Sequence, residues 1–237
     1  MYEELINMPK TKQGKETLNN ILSAAAQIFY EKGYHATSVS DIAKLAGVAV
    51  GTFYSYFESK YNLYKFLLLQ CSHNIRKNLS KRTKNCANRH EVEKEGMRAW
   101  LEFAMENQYM YHIIWESMYI DYDLFKDYYV TFQKAYKQGL DEAKRNGEIK
   151  EDVDTSVLAY ALMGASNFIG LNWCLFQNDA SAIDHVTNQF MKLLDGEIFN
   201  KEPNSNSEEK KEIPHAAKPK FQFRVTVDDE DEDEEER

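Results

Sequence analysis

Proline is almost missing from the body of this chain. Only Pro9, Pro203, Pro214 and Pro219 occur in 237 residues, all near the termini, so no residue between 10 and 202 lacks the backbone N–H that a helix needs. Cysteine is equally sparse. Cys71, Cys86 and Cys174 are odd in number and far apart, which excludes a disulfide framework and a CxxC pair and suits a reducing compartment. Long apolar runs are missing as well. The best of them, ALMGASNFIGLNWCLF (161 to 176), is interrupted by Ser166, Asn167 and Asn172 and is shorter than the about 20 residues a membrane span requires. The opening MYEELINMPKTKQG has no apolar segment of the signal-peptide kind. A cytoplasmic protein without a membrane partner is expected. No strand-like alternation and no internal repeat appear between residues 10 and 200.

Catalytic signatures are absent too. There is no GxSxG, P-loop or HExxH, and the i, i+4 pairs His112/Glu116 and Cys86/His90 have no further ligands at telling spacing. No enzyme activity, no cofactor and no metal is expected.

What the chain does have is a hydrophobic content of 43%, enough for a real core in one medium domain or two small ones, and a lopsided charge. The net charge of −9 hides a basic head: residues 1 to 90 carry 13 Lys and Arg against 6 Asp and Glu. Residues 91 to 200 carry 9 against 19, and residues 201 to 237 carry 7 against 13. This asymmetry directs a polyanion to the N-terminal third.

Apolar spacing predicts helices throughout. Ile21, Leu22, Ala25, Ile28 and Phe29 share one face of a helix that Gly33 would end. Ser38 and Asp41 resemble a capping box opening a short helix with Val39, Ile42, Ala43 and Leu45 inward. Gly47 allows a tight turn into a second short helix, from about Ala49 to Phe57, and Ser59 is placed to cap a long third one. Further helices are expected near 91 to 107, 109 to 120, 122 to 146, 153 to 176 and 180 to 199. From residue 201 the composition turns polar, which reads as a disordered linker and tail. It ends in the alternating FQFRVTV and nine acidic residues, Asp228 to Glu236. That tail reads as a solvated appendage, or else as an edge strand or an acidic arm competing for the basic head.

Two short helices joined by AGV after a longer amphipathic one make a helix-turn-helix, whose second helix enters the DNA major groove. In VAVGTFYSYFESK (48 to 60) the phase puts Phe53 and Phe57 inward. Ala49, Thr52 and Tyr56 lie on another arc with Ser55 beside them, and Tyr54 sits at the boundary with its hydroxyl able to reach a phosphate. Lys10, Lys12 and Lys15 precede this unit as a possible basic arm.

The segment ILSAAAQIFYEKGYHATSVSDIAKLAGVAVGTFYSYFESKYNL (21 to 63) closely resembles the DNA-binding domain of the tetracycline-repressor (TetR) family, without a gap. The resemblance implies an all-α homodimeric transcription regulator, usually a repressor, whose C-terminal helices bind a small molecule and pair with the second subunit. It implies DNA contacts at Ser38, Thr52, Tyr54, Tyr56 and Lys60. One departure stands out: Val50 replaces the polar or basic side chain many members carry. Base readout is then left to Ser55, to apolar contacts with thymine methyls and to DNA shape. The expected organisation is a flexible basic lead-in (1 to 14), the helix-turn-helix domain (15 to 60), a helical effector-binding and dimerisation domain (61 to 200) and the acidic tail.

Residues 91 to 200 are rich in tyrosine and tryptophan, side chains that want polar partners when buried and suit a cavity as well as an ordinary core. The candidate pocket draws on Trp100, Phe103, Trp115, Met118 and Tyr119, on Phe125, Tyr129 and Phe132, and on Met163 and Asn167. Arg98 and His112 are candidate partners for an acidic group on a lipophilic or aromatic effector. Small Ala161, Gly164 and Ala165 in the 154 to 173 helix would let it approach a second copy. The resulting reading is a ligand-responsive regulator of a palindromic operator. A ligand sensor without DNA specificity, or an enzyme using the aromatic pocket, are the alternatives.

Overall fold

The computed structural model describes residues 5–195, and among these the fold is all-α, with no β-strand. FQFRVTV and the acidic run lie outside the described residues. The chain divides into two compact units, cut between Gln70 and Cys71.

In the first unit, α1 (Lys12–Lys32) starts three residues before the expected domain boundary, because Thr11 caps it by accepting the Gly14 N–H at 3.1 Å. Leu18, Ile21, Leu22, Ala25, Ile28 and Phe29 are its buried face, and Gly33 ends it at φ +77°. The lead-in is not a loose arm throughout. Ile6 is buried, and Asn7 donates from its backbone to the Tyr56 carbonyl and from its side chain to that of Ser55, satisfying carbonyls at the end of α3.

Helix α2 (Val39–Leu45) opens with the expected capping box: Ser38 Oγ accepts the Asp41 N–H at 3.1 Å, and the Asp41 carboxylate accepts the Ser38 N–H at 3.0 Å. Ile42 and Ala43 point inward, but Leu45 is exposed, since a seven-residue helix has only one side against α1 and α3. Gly47, at φ +70°, then bonds Lys44 O while Val48 N–H returns to Ala43 O, the paired bonds of a left-handed helix stop. Helix α3 (Val50–Tyr56) follows.

Phe53 and Phe57 are fully buried below α3, their rings 5.9 Å apart, with Phe66 5.8 Å from Phe57. Phe66 belongs to α4 (Lys60–Thr83), as do buried Leu63 and Tyr64; Tyr64 sets its ring edge-on to Phe29 at 5.5 Å. The first turns of α4 thus complete the head's core, which is why the unit runs to residue 70 rather than to the expected 60.

The second unit contains α5 (Arg89–Glu106), α6 (Tyr109–Ile120), α7 (Tyr122–Arg145), α8 (Thr155–Gly170) and α9 (Ile183–Leu194). Asn88, Asp121 and Asp154 cap α5, α7 and α8 through their side chains. Helix α7 packs on α6 and α8, and α5 on α8 and α9. Leu101, Leu140, Ala159, Leu162 and Phe190 lie in their shared core. The helix expected over 153 to 176 changes to π-helical winding at Leu171–Phe176. Thr155–Phe176 is long and apolar enough, by length and composition alone, to cross a membrane, yet its Leu158, Leu162 and Cys174 belong to this core.

Ser38→Ala removes the α2 cap and is expected to cost about 1 kcal/mol in denaturant unfolding with the slope unchanged. Hydrogen bonds from Ser38 hold the Asp41 carboxyl below its ordinary range. Its contribution is therefore present at neutral pH, above the unfolded-state value, and is lost as pH falls through the lowered native value. Thermal unfolding of Asp41→Asn should differ from that of the parent at pH 7 and converge with it in strong acid.

Candidate DNA-binding face and internal cavity

In the head, Ser38, Ala49, Val50, Tyr54 and Ser55 are exposed, while Thr52, Tyr56 and Lys60 are half-buried. Their polar groups are not equally available. Ser38 Oγ donates to Asp41 at 2.7 Å, and Ser55 Oγ to the Thr52 carbonyl at 2.6 Å. Tyr56, expected to present its hydroxyl to phosphate, instead donates it to the Gly14 carbonyl at 3.1 Å, tying α3 to the start of α1. Lys60 Nζ donates to the carbonyls of Tyr34 and Thr37 at 2.6 and 2.5 Å and lies 4.2 Å from the Tyr34 ring centre.

Those four side chains hold the head together: Ser38 through its capping box, and Ser55, Tyr56 and Lys60 because orphan carbonyls at helix ends and turns claim the nearest donors. The Thr52 and Tyr54 hydroxyls make no hydrogen bond among the described residues. They remain the open donors of α3, with exposed Val50 beside them. Lys10, Lys12 and Lys15 are exposed as well.

In the second unit a cavity of about 450 Å³ opens among α4, α5, α7, α8 and α9. Ile75, Leu79, Val92, Met97, Phe132 and Phe190 give it apolar walls. Trp100 lies along it, its Nε1 donating to the Ser166 carbonyl at 3.0 Å, and Tyr128 stacks on Phe132 at 6.4 Å. Burial pushes the phenols of Tyr128 and Tyr129 up, Tyr129 to about 12, so both stay protonated donors at neutral pH.

Three charged side chains line this space: Arg76, Arg89 and Glu93. Arg89 and Glu93, 9% and 5% exposed, form an ion pair one turn apart on α5, with Nε to Oε1 at 2.7 Å. The Tyr136 hydroxyl donates to the other Glu93 oxygen, and the Arg89 guanidinium lies 5.3 Å from the Tyr136 ring centre. Gly139 makes room for it, since a Cβ there would meet Arg89 Nη1 at 2.6 Å. Arg76 has no hydrogen bond or ion pair among the described residues. Among the described residues, too, no three His, Cys, Asp or Glu side chains gather as a metal site would need.

Of the residues expected at a pocket, Trp100, Tyr129, Phe132, Met163 and Asn167 line the cavity. The other seven expected there do not line it. Arg98 pairs with Asp184 and lies near Glu95. Phe103 is half-buried elsewhere, and Phe125 packs its ring 4.8 Å from Tyr129 without reaching the cavity. His112, Trp115, Met118 and Tyr119 stand on the outer side of α6, Tyr119 at 79% exposure. That helix is aromatic and apolar all round, so composition could not say which side faces in. Arg76, Arg89, Glu93, Tyr128 and Tyr136 were missed. The i, i+4 spacing of Arg89 and Glu93 and the position of Arg76 beside the apolar Ile75 and Leu79 were the available signals.

Glu93→Ala leaves Arg89 as an uncompensated buried charge and is expected to destabilise the protein by about 3–5 kcal/mol in denaturant unfolding. Retention of full stability would mean that the pair is not buried in solution.

Residues 21–66 match the family described as "Bacterial regulatory proteins, tetR family". The HTH-type transcriptional activator FasR of Mycolicibacterium smegmatis is 27% identical over 105 residues, 44% of this chain and 48% of that protein. The chain thus spans about half the length of this curated relative. Two solved structures share the fold. The fatty acid degradation regulator FadR of Bacillus halodurans aligns with TM-score 0.68 and 20% identity over 79% of this chain and 96% of its own. FadR of Bacillus subtilis, solved in complex with stearoyl-CoA, aligns with TM-score 0.63 and 21% identity over 75% and 97%. The segment 21–66, with Phe53 and Phe57 buried under a short helix whose Thr52 and Tyr54 hydroxyls stay open, is thus similar to the helix-turn-helix head of the tetR family of bacterial regulatory proteins.

Proposed function

We propose that the protein is a cytoplasmic, ligand-responsive repressor that binds a palindromic operator as a homodimer and leaves it when a small lipophilic effector fills the cavity. The observation that carries this reading is the continuity of α4. Its Leu63, Tyr64 and Phe66 are buried in the head, while Ile75, Arg76, Leu79, Ser80 and Thr83 line the cavity. A ligand that repositions the second half of one unbroken helix acts on the first half, and it shifts the DNA-bound population by its differential affinity for the two states. The fatty acid degradation regulator among the structural relatives, and the one solved with stearoyl-CoA, support a lipophilic effector.

Pairing of two copies is supported by the outward side of α8, where Val157, Tyr160 and Phe168 are exposed beside small Ala161 and Gly164, and by exposed Leu193 on α9. Thr52 and Tyr54 are the phosphate donors of this reading, with Ala49 and Val50 against the bases. Ser38, Ser55, Tyr56 and Lys60 position the helix and its flanks.

The test is selection of genomic fragments followed by anisotropy titration. Binding should prefer selected over scrambled duplex, and log affinity should fall with log salt by about 0.9 per phosphate contacted. Tyr54→Phe and Thr52→Val should each weaken operator binding about tenfold with the dimer intact in sedimentation, the loss expected for one charge-assisted hydrogen bond. Equal affinity for all duplexes overturns the regulator reading.

A further inference from the structure

We propose that the cavity takes a lipophilic carboxylic acid, its carboxylate held by the Arg76 guanidinium and the Tyr128 hydroxyl and its apolar body lying along Leu79, Val92, Trp100, Phe132 and Phe190. This rests on the cavity being the effector site, and it specifies the ligand's charge and the side chains that read it.

The argument is one of charge balance. Three charged groups line the cavity, and two neutralise each other: Arg89 is held by Glu93, which also accepts the Tyr136 hydroxyl. Arg76 is left with no hydrogen bond or ion pair among the described residues, so the wall carries one unbalanced positive charge. Arg76 is half-buried, and an anion entering the cavity would find its guanidinium without a competing carboxylate among the described residues. Tyr128 adds a second unmet donor, since its hydroxyl makes no hydrogen bond among the described residues and burial keeps it protonated at neutral pH.

A carboxylate fits this pair best. It brings a single negative charge, matching the single excess positive one, and offers two coplanar oxygens to the guanidinium fork. A phosphate dianion would overshoot the charge, because Arg89 is already committed. An amine would face Arg76 with like charge, and an alcohol would leave the guanidinium uncompensated. The rest of the lining is mostly apolar, and its polar side chains, among them Ser80, Thr83, Ser166 and Asn167, are neutral.

The experiment is isothermal calorimetry on the full chain without DNA, using dodecanoate, 1-dodecanol and dodecylamine as probes of equal chain length. Dodecanoate should bind at least about tenfold more tightly than the alcohol, and the amine most weakly. Arg76→Gln should weaken dodecanoate about 10- to 100-fold and leave dodecanol within about twofold, which also shows that the variant is folded. Arg76→Lys keeps the charge without the fork and should fall between parent and Arg76→Gln. Tyr128→Phe should lose a smaller factor, again for the acid alone.

The proposal is overturned if dodecanol or dodecylamine binds as well as dodecanoate, if Arg76→Gln leaves dodecanoate affinity unchanged, if Lys and Gln behave alike, or if none of the three probes binds. An operator-release assay run in parallel separates it from the regulator reading. Dodecanoate that binds through Arg76 without releasing DNA sinks the latter alone. Release by dodecanol as readily as by dodecanoate sinks only the carboxylate assignment.

Discussion

The C-terminal unit depends on keeping one carboxylate neutralised. Glu93 is 5% exposed, and without partners its charge would be expelled from such a place or protonated there. Arg89 and Tyr136 supply the partners from α5 and α7, and the bond from the Arg89 N–H to the Glu148 carboxylate ties the start of α5 to the turn after α7. Gly139 is required by the same arrangement, because any side chain there would strike the guanidinium. The network therefore fixes the spacing of two cavity walls. It also leaves Arg76 as the one arginine of the lining without an ion pair among the described residues. Such a pair adds little net stability, since desolvation cancels much of the attraction, but breaking it is expensive.

The head solves a different problem. A seven-residue helix has too little length to be stable alone, and α3 has no side-chain cap at its N-terminus. Phe53 and Phe57 anchor it from below, Asn7 satisfies carbonyls at its C-terminal end, and Tyr56 ties it to Gly14. These attachments explain why several polar side chains near the outer face look inward. Lys60, between the Tyr34 and Thr37 carbonyls, closes the loop after α1 in the same manner.

Much of this was legible in the sequence where local rules decide. The capping box at Ser38, the glycine stops at Gly33 and Gly47, the inward Phe53 and Phe57, and the cap at Ser59 all follow from spacing and backbone preference. What spacing could not tell was which partner a polar side chain would take. Tyr56 and Lys60 point toward backbone carbonyls 42 and 26 positions earlier in the chain. The cavity was legible only in part for the same reason. Aromatic density pointed to α5 and α7, whose Trp100, Tyr129 and Phe132 line the cavity, but it pointed equally to α6, and that helix turns Trp115, Met118 and Tyr119 outward. Arg76 sat among the basic residues of the N-terminal third, whose charge read as DNA-facing, and that outweighed the signal of its apolar neighbours Ile75 and Leu79.

The π-helical turn after α8 shows how the cavity wall meets the core. Side chains from two other helices reach the carbonyls just before it: Trp100 Nε1 donates to Ser166, and the Tyr111 hydroxyl to Asn167 at 3.2 Å. Both approaches need Gly170, where a Cβ would collide with the Tyr111 hydroxyl and crowd Trp100. Wider winding leaves carbonyls without their usual partners, and Gln108 answers one of them by donating to Cys174 at 2.8 Å. Ser166, Asn167 and Trp100 all line the cavity. The indole that bonds to Ser166 thus lies between the cavity and the stretch of α8 just before its winding changes. The outward side of α8 carries Val157, Tyr160 and Phe168, the surface assigned to the second copy. Under the proposed function, the wall that meets a ligand and the surface that pairs the subunits are two sides of one helix.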